Sequence, residues 1–550
     1  MNGVARRFLC AASALSLSAV CVAAPVHLRV DARVNPLGID SATPHFSWQS
    51  NSVERNWKQS AYEIEVASSA AKLAAGKADV WDSGKIATGD SVDLTYAGPA
   101  LKSQTRYVWR VKVWDAKGGV STSSERSWWE MGLLAPGDWT AKWIHHIDPS
   151  DQLALRHMNW IWLPKVDWQH VPEKTVAEFR YELPLTAKPM EATLHILNGQ
   201  KYTVTVNGVE SGHKNGWLTF DFEDIHNLLK VGNNEIVVRV ELPSSKKGGE
   251  VFMAALAAGL RLRTAQGLDW RVTGDGWQGR AGTDGAWTAV QQVGSVPSVK
   301  MQRGNTNIGS KITQEVDAPE RIVSGSTLYR KEFSSKSKPI SARLYVTAMG
   351  AYVTYLNGQK VGNDLLTPGF TDFRKRVQYQ TYDVSNMVLA GKNTLGALQG
   401  AGWHGSPLLW IGAHTFAGPD SLRAQLVLTY ADGSQKTVAT DSSWMSSTSP
   451  IVMSEIYAGE AYDARLVEAG WNRNGFHASD WLPATVGEIS SQVTVSAQPD
   501  QPVHFDMALH PISVKMVTSE GHKVAVYDMG QNMVGVVKLR VQGPRGTTVR

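Results

Sequence analysis

The chain has 550 residues, of which 43% are apolar and 19% are charged, a composition typical of a folded protein of several domains rather than a disordered one. Without Arg6 and Arg7 of the N-terminal segment, the formal charge of +5 falls to +3, which is too small and too scattered to indicate binding to nucleic acid. Both cysteines, Cys10 and Cys21, lie in that same segment, so disulfides and cysteine-held metal sites are excluded from the rest of the chain.

Residues 1–24 are predicted to be a secretory signal peptide. Two arginines precede a mostly apolar run, residues 8–22, and Val22-Ala23-Ala24 provides small residues for cleavage. An N-terminal membrane anchor is the alternative, but the run is short and rich in Ser and Ala. No later stretch is long and apolar enough to span a bilayer. We therefore expect a secreted or periplasmic protein that has no membrane partner after cleavage.

Residues 25–135 predict a small β-sandwich of the fibronectin III or immunoglobulin type. The segments 62–67 and 107–114 alternate residues between two faces, as strands with one buried face do. Residues 69–76 predict one short helix that ends at a glycine. Modules of this kind are mostly spacers, and no residue here indicates chemistry.

One hairpin pattern occurs twice in the middle of the chain, at a spacing of 150 residues. Asn207-Gly208 and Asn357-Gly358 each stand between segments that alternate apolar and polar residues. An Asn-Gly pair in that setting predicts a type I′ turn, because both central residues of this turn take positive φ. We interpret the pattern as two copies of one β-sandwich fold that differ by loop insertions. The match continues at a spacing of 159, with Asp224, Asn227, Gly232 and Asn234 recurring as Asp383, Asn386, Gly391 and Asn393.

The predicted fold class is all-β, with β-sandwich domains in tandem. The two related copies are interpreted as jelly-roll domains that follow the fibronectin III or immunoglobulin-like module. The predicted ranges are 136–295 for the first jelly-roll domain, 296–325 for a linker, 326–487 for the second jelly-roll domain and 488–550 for the start of a further β-sandwich domain.

The last of these segments is expected to be cut short. Strands are predicted near residues 523–527 and 536–541, and another begins at 547–550. A strand that stops in mid-pattern leaves its pairing edge unfinished, so we expect the sequence to be a fragment of a larger protein.

No cofactor or metal site is predicted. Residues 274–279 fit G-x-G-x-x-G, but a dinucleotide site needs a helix after this motif, and turn-like residues follow it. The sequence contains no Walker-type phosphate loop, no His-Glu-x-x-His and no Gly-x-Ser-x-Gly. Sandwiches of this kind often hold a calcium ion, but no loop here has a recognisable spacing of calcium ligands.

A cluster of three acidic residues is a candidate source of a catalytic carboxylate pair. Glycoside hydrolysis needs two carboxylates that face each other across a sugar, and Glu455, Glu460 and Asp463 lie close together in the sequence. Asp463 with Arg465 two residues later is more typical of a structural ion pair or turn. We therefore assign no catalytic residue in this chain.

Aromatic residues provide the candidates for carbohydrate binding. An aromatic face stacks on the apolar face of a pyranose while polar neighbours bind its hydroxyl groups. Core packing is the competing interpretation, and it is weakest in the glycine-rich segment 400–405, where few neighbouring side chains are available for packing. The candidates are Trp403, His404, Trp410, Trp160 and Trp162.

Seven motifs occur together along the chain, at residues 130–134, 329–333, 357–362, 368–372, 377–384, 459–465 and 528–535. As a set they resemble the N-terminal region of bacterial α-L-rhamnosidases of glycoside hydrolase family 78. The resemblance spans essentially the whole mature chain. Phe370 and Met529 depart from the family pattern, since they stand where a Trp and a Phe are usual.

The resemblance implies that these β domains precede an (α/α)6 barrel, which holds two catalytic glutamates acting with inversion through a water molecule. No part of the chain matches that barrel, so no catalytic residue is carried over and the missing barrel would be required in cis. The first hypothesis is therefore the N-terminal part of a secreted α-L-rhamnosidase, inactive alone, that acts on rhamnose-containing glycosides or polysaccharides. The alternative is a non-catalytic carbohydrate-binding protein that is complete as given.

Overall fold

The structure is a computed structural model, and its described part begins at residue 23. Within that part, no helix has both the length and the apolar character needed to cross a bilayer. The predicted signal peptide lies almost wholly outside the described residues. The described residues are 23–52, 54–122, 125–147, 153–154, 156–198, 200–214, 219–244, 251–264, 267–296, 301–302, 315–316, 325–406, 416, 418–456, 459–519, 522–544 and 547.

The N-terminal module forms a sandwich of two sheets with one short helix, Ala70–Ala74. In the long strand Arg106–Asp115, alternate side chains are buried, because a strand presents successive residues to opposite faces. Trp109 and Trp129 lie at the centre of the core, and Phe46 packs against both rings. One sheet contains Ala24–Val30, His45–Asn51 and Leu94–Thr95, and the other contains Leu37–Ile39, Ser127–Met131, Arg106–Asp115, Gln59–Ala67, Trp81–Asp82 and Val120–Thr122.

The first sandwich follows in the chain and pairs a six-stranded sheet with a four-stranded one. Among the described residues, its core contains 26 buried residues, most of which come from these two sheets. In sheet order, the larger sheet contains Val209–Lys214, Lys201–Val206, Gly232–Glu241, Val176–Leu185, Trp277–Ala281 and Thr288–Ala289. The smaller contains Thr219–Asp224, Glu191–Asn198, Ala257–Thr264 and Gly267–Val272.

The second sandwich repeats this arrangement strand for strand, which confirms the predicted duplication. Its first sheet contains, in order, Gln359–Lys360, Ala351–Leu356, Gly391–Gly400, Thr327–Ser335, Met445–Thr448 and Leu482–Pro483. Its second contains Arg376–Asp383, Ser341–Met349, Ser421–Thr429 and Gln435–Ala439 in the places of the four strands above. Three further strands extend this second sheet, namely Trp143–His145, Thr485–Gly487 and Thr494–Ala497.

Both predicted Asn-Gly turns are confirmed. Asn207 and Gly208 have φ of 50° and 80°, and Asn357 and Gly358 have φ of 54° and 83°. Positive φ at both central residues is the signature of the type I′ turn, whose twist matches that of the flanking strands. In the segment 274–279, a turn follows the strand Gly267–Val272, and Trp277 begins the next strand, Trp277–Ala281.

The strand Trp143–His145 belongs to the second sandwich, although the sequence places it in the first jelly-roll range. Ile144 pairs with Leu422, and Trp143 pairs with Gly487. The chain therefore enters the second sandwich, leaves it to form the first sandwich and returns at Thr327. The first sandwich is an insertion within the second. The other predicted domain limits stay predictions.

The segment after residue 487 differs from its prediction in two ways. Thr494–Ala497 pairs in parallel with Arg376–Asp383 and so completes the second sandwich. The strand predicted at 523–527 is confirmed within the hairpin Ser513–Ser519 with His522–Asp528. The strand predicted at 536–541 is wrong: its residues alternate, but the described chain offers no partner strand, and the segment has no regular structure.

The remaining elements are short. The predicted linker falls mostly outside the described residues. Two-residue or slightly longer strands pair as Asn159–Trp162 with Gln291–Ser295, Val171–Pro172 with Val251–Phe252, Met301–Gln302 with Glu315–Val316, and Ile451–Glu455 with Gly459–Tyr462. Helical turns lie at Pro136–Asp138, His226–Leu228, Gly402–Gly405 and Ala464–Leu466.

Polar contacts fix the N-terminal module against the second sandwich. Arg343 donates from Nε and Nη2 to the two oxygens of Glu130, at 2.5 and 3.0 Å. The hydroxyl of Tyr379 accepts from the backbone N–H of Leu133 at 2.8 Å. At Gly38, a Cβ would lie 2.0 Å from Oγ1 of Thr381, so the Thr381 side chain occupies the space that a side chain at this position would need.

Candidate functional site

The glycine-rich segment predicted to carry sugar-binding aromatics forms one end of the second sandwich. It folds into the short helix Gly402–Gly405 after the strand Gly391–Gly400. Gly402 has a φ of 51°, and a Cβ on it would lie 2.5 Å from the backbone nitrogen of Ala351. Only glycine fits this approach without strain, and the helix is thereby held against the sheet.

Trp403 is half-buried and lies edge-on to an exposed aromatic ring. The ring centroids of Trp403 and Phe370 are 5.6 Å apart, with an interplanar angle of 69°. Phe370 has 59% of its surface exposed, whereas Trp403 packs against the cluster around Trp143 and Phe373. We call these two residues the Phe370–Trp403 pair. Their arrangement leaves the Phe370 face open to solvent, where a sugar ring can stack.

His404 has a structural role in this end of the fold. Only 2% of the residue is exposed, and its Nδ1 lies 2.9 Å from Oδ1 of Asp420. Its ring also stacks on Phe416 with centroids 6.1 Å apart. A buried imidazole held by a carboxylate cannot reach the hydroxyl groups of a sugar in solvent, so the structure argues against His404 as a sugar contact.

The other tryptophan candidates divide into two groups. Trp160 and Trp162 are 2% and 0% exposed, and each belongs to an apolar core cluster. Neither ring has an open face, so the structure corrects their assignment: they are core residues. Trp410 lies outside the described residues.

The acidic cluster is arranged as a turn with an ion pair, which confirms the structural interpretation of Asp463 and Arg465. Asp463 caps the helical turn Ala464–Leu466 and accepts from Nε of Arg465 at 2.8 Å. This hydrogen bond from Arg465 holds the pKa of Asp463 below its usual value. Glu460 is exposed on the preceding strand, and the side chain of Glu455 lies outside the described part.

Arg465 also reaches from the second sandwich to the first. Its Nη1 lies 2.8 Å from Nδ1 of His226, and its Nη2 lies 3.7 Å from Oδ2 of Asp224. The Nε2 of His226 is 3.0 Å from the carbonyl oxygen of Pro189, and a carbonyl only accepts. Nε2 therefore carries the proton, and Nδ1 accepts from Arg465.

The sequence did not predict two surface features, the exposed ring of Phe370 and a cavity. Phe370 was noted only as a departure from a family motif, and its exposure depends on how its loop folds. A surface cavity of about 450 Å³ lies along residues 469–477 of the second sandwich. The signal in the sequence that indicates this loop is the pair Gly470 and Gly475, which flank Arg473 and Asn474. Among the described residues, no group of three or more His, Cys, Asp or Glu side chains is placed to hold a metal ion.

Family models match three parts of the chain. A Rha78A-like N-terminal immunoglobulin domain matches residues 25–135, and the α-L-rhamnosidase N-terminal domain matches residues 337–506. The bacterial α-L-rhamnosidase concanavalin-like domain matches residues 518–550.

Whole relatives match nearly the entire chain. An α-L-rhamnosidase of Streptomyces avermitilis is 37% identical over 528 residues, which is 94% of this chain and 49% of the relative. One from an Alteromonas species is 25% identical over 96% of this chain and 40% of the relative. The chain thus spans half the length of the curated relatives it matches, or less.

A solved structure agrees with these matches. The Streptomyces avermitilis α-L-rhamnosidase complexed with L-rhamnose has a TM-score of 0.74 and 34% identity, covering 90% of this chain and 48% of that chain. The fold is a tandem array of β-sandwich domains, and the relatives that match it are glycoside hydrolases. The matching models are N-terminal domains of α-L-rhamnosidases and the matching relatives are α-L-rhamnosidases, so the chain is similar to the N-terminal portion of these proteins, which confirms the resemblance drawn from the motifs.

Proposed function

We propose that these 550 residues are the non-catalytic scaffold of an α-L-rhamnosidase that hydrolyses terminal α-L-rhamnose from glycosides or polysaccharides by inversion. The observation that carries the proposal is the match to 94% of this chain but only 49% of an α-L-rhamnosidase. The acid and base are assigned to a helical barrel encoded beyond these residues. The chain alone is then inactive.

The packing of the domains supports the scaffold role. The ion pair of Arg343 with Glu130 and the close approach at Gly38 join the N-terminal module to the second sandwich. A rigid joint of this kind is what a scaffold needs to hold an attached domain in one orientation. The exposed apolar side chains of Val514 and Met516 in the C-terminal hairpin are suited to packing against a further β domain.

The second part of the proposal concerns sugar binding. The Phe370–Trp403 pair presents an exposed aromatic ring, as sugar-binding surfaces do. We assign to it a contact with rhamnose-bearing polysaccharide. With the predicted signal peptide, the protein would act outside the cytoplasm, in the periplasm or medium of a bacterium.

The alternative function is carbohydrate binding without hydrolysis, which the open face of Phe370 also favours. Reading the gene beyond codon 550 separates the two. A helical barrel in frame supports the rhamnosidase, and a stop codon directly after Arg550 supports the binding protein.

Sugar binding is tested with Phe370→Ala. We expect weaker retention on a rhamnose-bearing polysaccharide with unchanged thermal stability, because Phe370 is exposed and contributes little to the core. Leu389→Ala, which removes an equally exposed apolar side chain elsewhere on the second sandwich, is the matched control. Equal retention by both variants and the parent chain would remove the Phe370–Trp403 pair from the proposal.

A further inference from the structure

The cavity along residues 469–477 is an open depression of the surface that has room for a small ligand. Its volume of about 450 Å³ lies within the range of about 300–1,000 Å³ typical of ligand pockets. Arg473, Asn474, Phe476 and His477 contribute side chains to its lining. It lies on the second sandwich, and the function proposed above does not use it.

The floor of the cavity is held in place by buried contacts. The guanidinium of Arg330, a residue only 5% exposed, donates to the backbone oxygens of Trp471 at 2.9 Å and Arg473 at 3.1 Å. The hydroxyl of Thr394 donates to Oδ1 of Asn474 at 2.7 Å. A site whose backbone is fixed before binding loses less conformational entropy when a ligand enters.

Of the two arginines near the cavity, Arg330 has an acidic partner within the described part of the chain and Arg473 does not. Arg330 is paired with Glu332 at 2.6 Å, and that carboxylate also accepts from the backbone N–H of Gly475 at 3.2 Å. Within the described residues, Arg473 is exposed and forms no ion pair. Burial opposes ionisation of Glu332, but the hydrogen bond from Arg330, with Lys392 also nearby, lowers the pKa of that carboxyl, so Glu332 is an ionised partner of Arg330.

A glycine makes room for this arginine. Gly358, in the second Asn-Gly turn, has a φ of 83°, and a Cβ on it would lie 2.7 Å from Nε of Arg473. The guanidinium therefore lies directly over the turn. This contact orients Arg473 without neutralising it.

An aromatic ring lines the same depression as Arg473. Phe476 is half-buried, with the guanidinium of Arg330 5.4 Å from its ring centroid and the ring of Trp481 at 5.8 Å. A guanidinium binds a carboxylate through two parallel hydrogen bonds, and an aromatic ring packs on the apolar face of a pyranose. A free arginine next to a supported phenylalanine fits a sugar that carries a carboxylate.

We propose that this cavity binds a uronic acid, with Arg473 holding the carboxylate and Phe476 contacting the sugar ring. The inference rests on the proposed function only in that the protein acts on carbohydrate. The cavity would be a second sugar-binding site, distinct from the Phe370–Trp403 pair and specific for a uronic acid unit of a glycan.

The test is calorimetric titration of the 550-residue chain with D-glucuronate, D-glucose and sulfate. We expect glucuronate to bind with a dissociation constant at least tenfold lower than that of glucose or sulfate. Arg473→Gln should weaken glucuronate binding at least tenfold, while Arg376→Gln, which changes another exposed arginine of the same sandwich, should leave it unchanged. Phe476→Ala should weaken glucuronate binding more than it weakens acetate binding.

The opposite results overturn the proposal. Glucuronate binding no tighter than glucose binding removes the carboxylate contact, and sulfate binding as tight as glucuronate binding makes the cavity a simple anion site. Equal binding by Arg473→Gln and the parent chain excludes Arg473. Because none of these titrations involves rhamnoside hydrolysis, failure of this site is distinguishable from failure of the proposed rhamnosidase function.

Discussion

The side-chain amide of Asn357 donates a hydrogen bond of 2.8 Å to Oδ1 of Asn393, which is fully buried. The first sandwich repeats this contact between Asn207 and Asn234 at 3.0 Å. In both copies, the asparagine of the type I′ turn is fixed by an asparagine at the start of a neighbouring strand. The duplication thus extends from backbone topology to buried polar side chains.

Asn393→Ala should destabilise the second sandwich. The side chain of Asn393 accepts from the N–H of Leu389 and donates to the carbonyl oxygens of Leu389 and Gly391, at 2.8 to 2.9 Å. Removing it leaves buried groups unsatisfied, at a cost of at least about 2 kcal/mol in unfolding free energy. Urea denaturation measures the loss.

The control for that experiment is Asn363→Ala. Asn363 is exposed in the same sandwich, and its replacement should change the unfolding free energy by less than about 0.5 kcal/mol. Similar losses for Asn363→Ala and Asn393→Ala would show that the buried network contributes nothing specific.

Gly38→Ala should loosen the joint between the N-terminal module and the second sandwich. Gly38 and Gly76 have φ of 75° and 71°, so an alanine at either position carries a similar backbone strain of about 1–2 kcal/mol. Only at Gly38 does the new Cβ collide with Thr381, whereas nothing lies within 4 Å at Gly76. We expect Gly38→Ala to lose about 1–3 kcal/mol more than Gly76→Ala in thermal unfolding. Equal losses would mean that the joint accommodates the methyl group.

The contact of Arg465 with the first sandwich should weaken in acid. The pKa of Asp463 is lowered in the folded protein, chiefly by the hydrogen bond from Arg465, so ionised Asp463 stabilises the fold. This contribution is complete above the unfolded value of 3.8 and is lost as the pH falls through the lowered folded pKa. Because the pair is partly exposed, the effect should be below about 1 kcal/mol.

Hydrogen exchange in the turn His226–Leu228 measures this contact. The protection factor there, which corrects for the intrinsic pH dependence of amide exchange, should be lower in Arg465→Met at neutral pH and should no longer fall with acidification. The conservative Arg465→Lys keeps the charge but not the two-pronged geometry, and should lie between Arg465→Met and the parent chain. Exchange rates in Arg465→Met equal to those of the parent at neutral pH would contradict the role of Arg465.

Trp162→Ala should cost far more stability than the loss of a surface tryptophan. Trp162 is fully buried against Phe179, and replacing a core aromatic residue by alanine costs about 3–5 kcal/mol. Trp287 lies at the surface under the guanidinium of Arg280, 4.4 Å from its ring centroid, and Trp287→Ala should cost about 1 kcal/mol. Scanning calorimetry of both variants decides whether Trp162 is core, and a small loss for Trp162→Ala would return it to the surface candidates.

Short sequence patterns were sufficient to predict elements that depend only on neighbouring residues. The Asn-Gly turns need positive φ at two adjacent residues, and the repeated asparagines lie at fixed offsets from them. The insertion of the first sandwich could not be found in this way. Ile144 pairs with Leu422, and nothing near residue 144 in the sequence specifies a partner so far along the chain.

The candidate site shows the same limit. Trp162 and Phe370 are both aromatic residues in alternating or loop-like segments, and only tertiary packing decides that the first is buried and the second exposed. His404 was predicted to contact sugar because it follows Trp403 in a glycine-rich segment. Its burial follows from Asp420 and Phe416, which lie farther along the chain and carry no signal near residue 404.

The most direct test of the account is the rate at which the purified 550-residue chain releases nitrophenol from nitrophenyl α-L-rhamnoside, beside the protein expressed from the longer reading frame. The account predicts no release above the uncatalysed rate by the 550 residues and turnover by the longer protein. Turnover by the 550 residues alone would place the acid and base within these β domains and contradict the account.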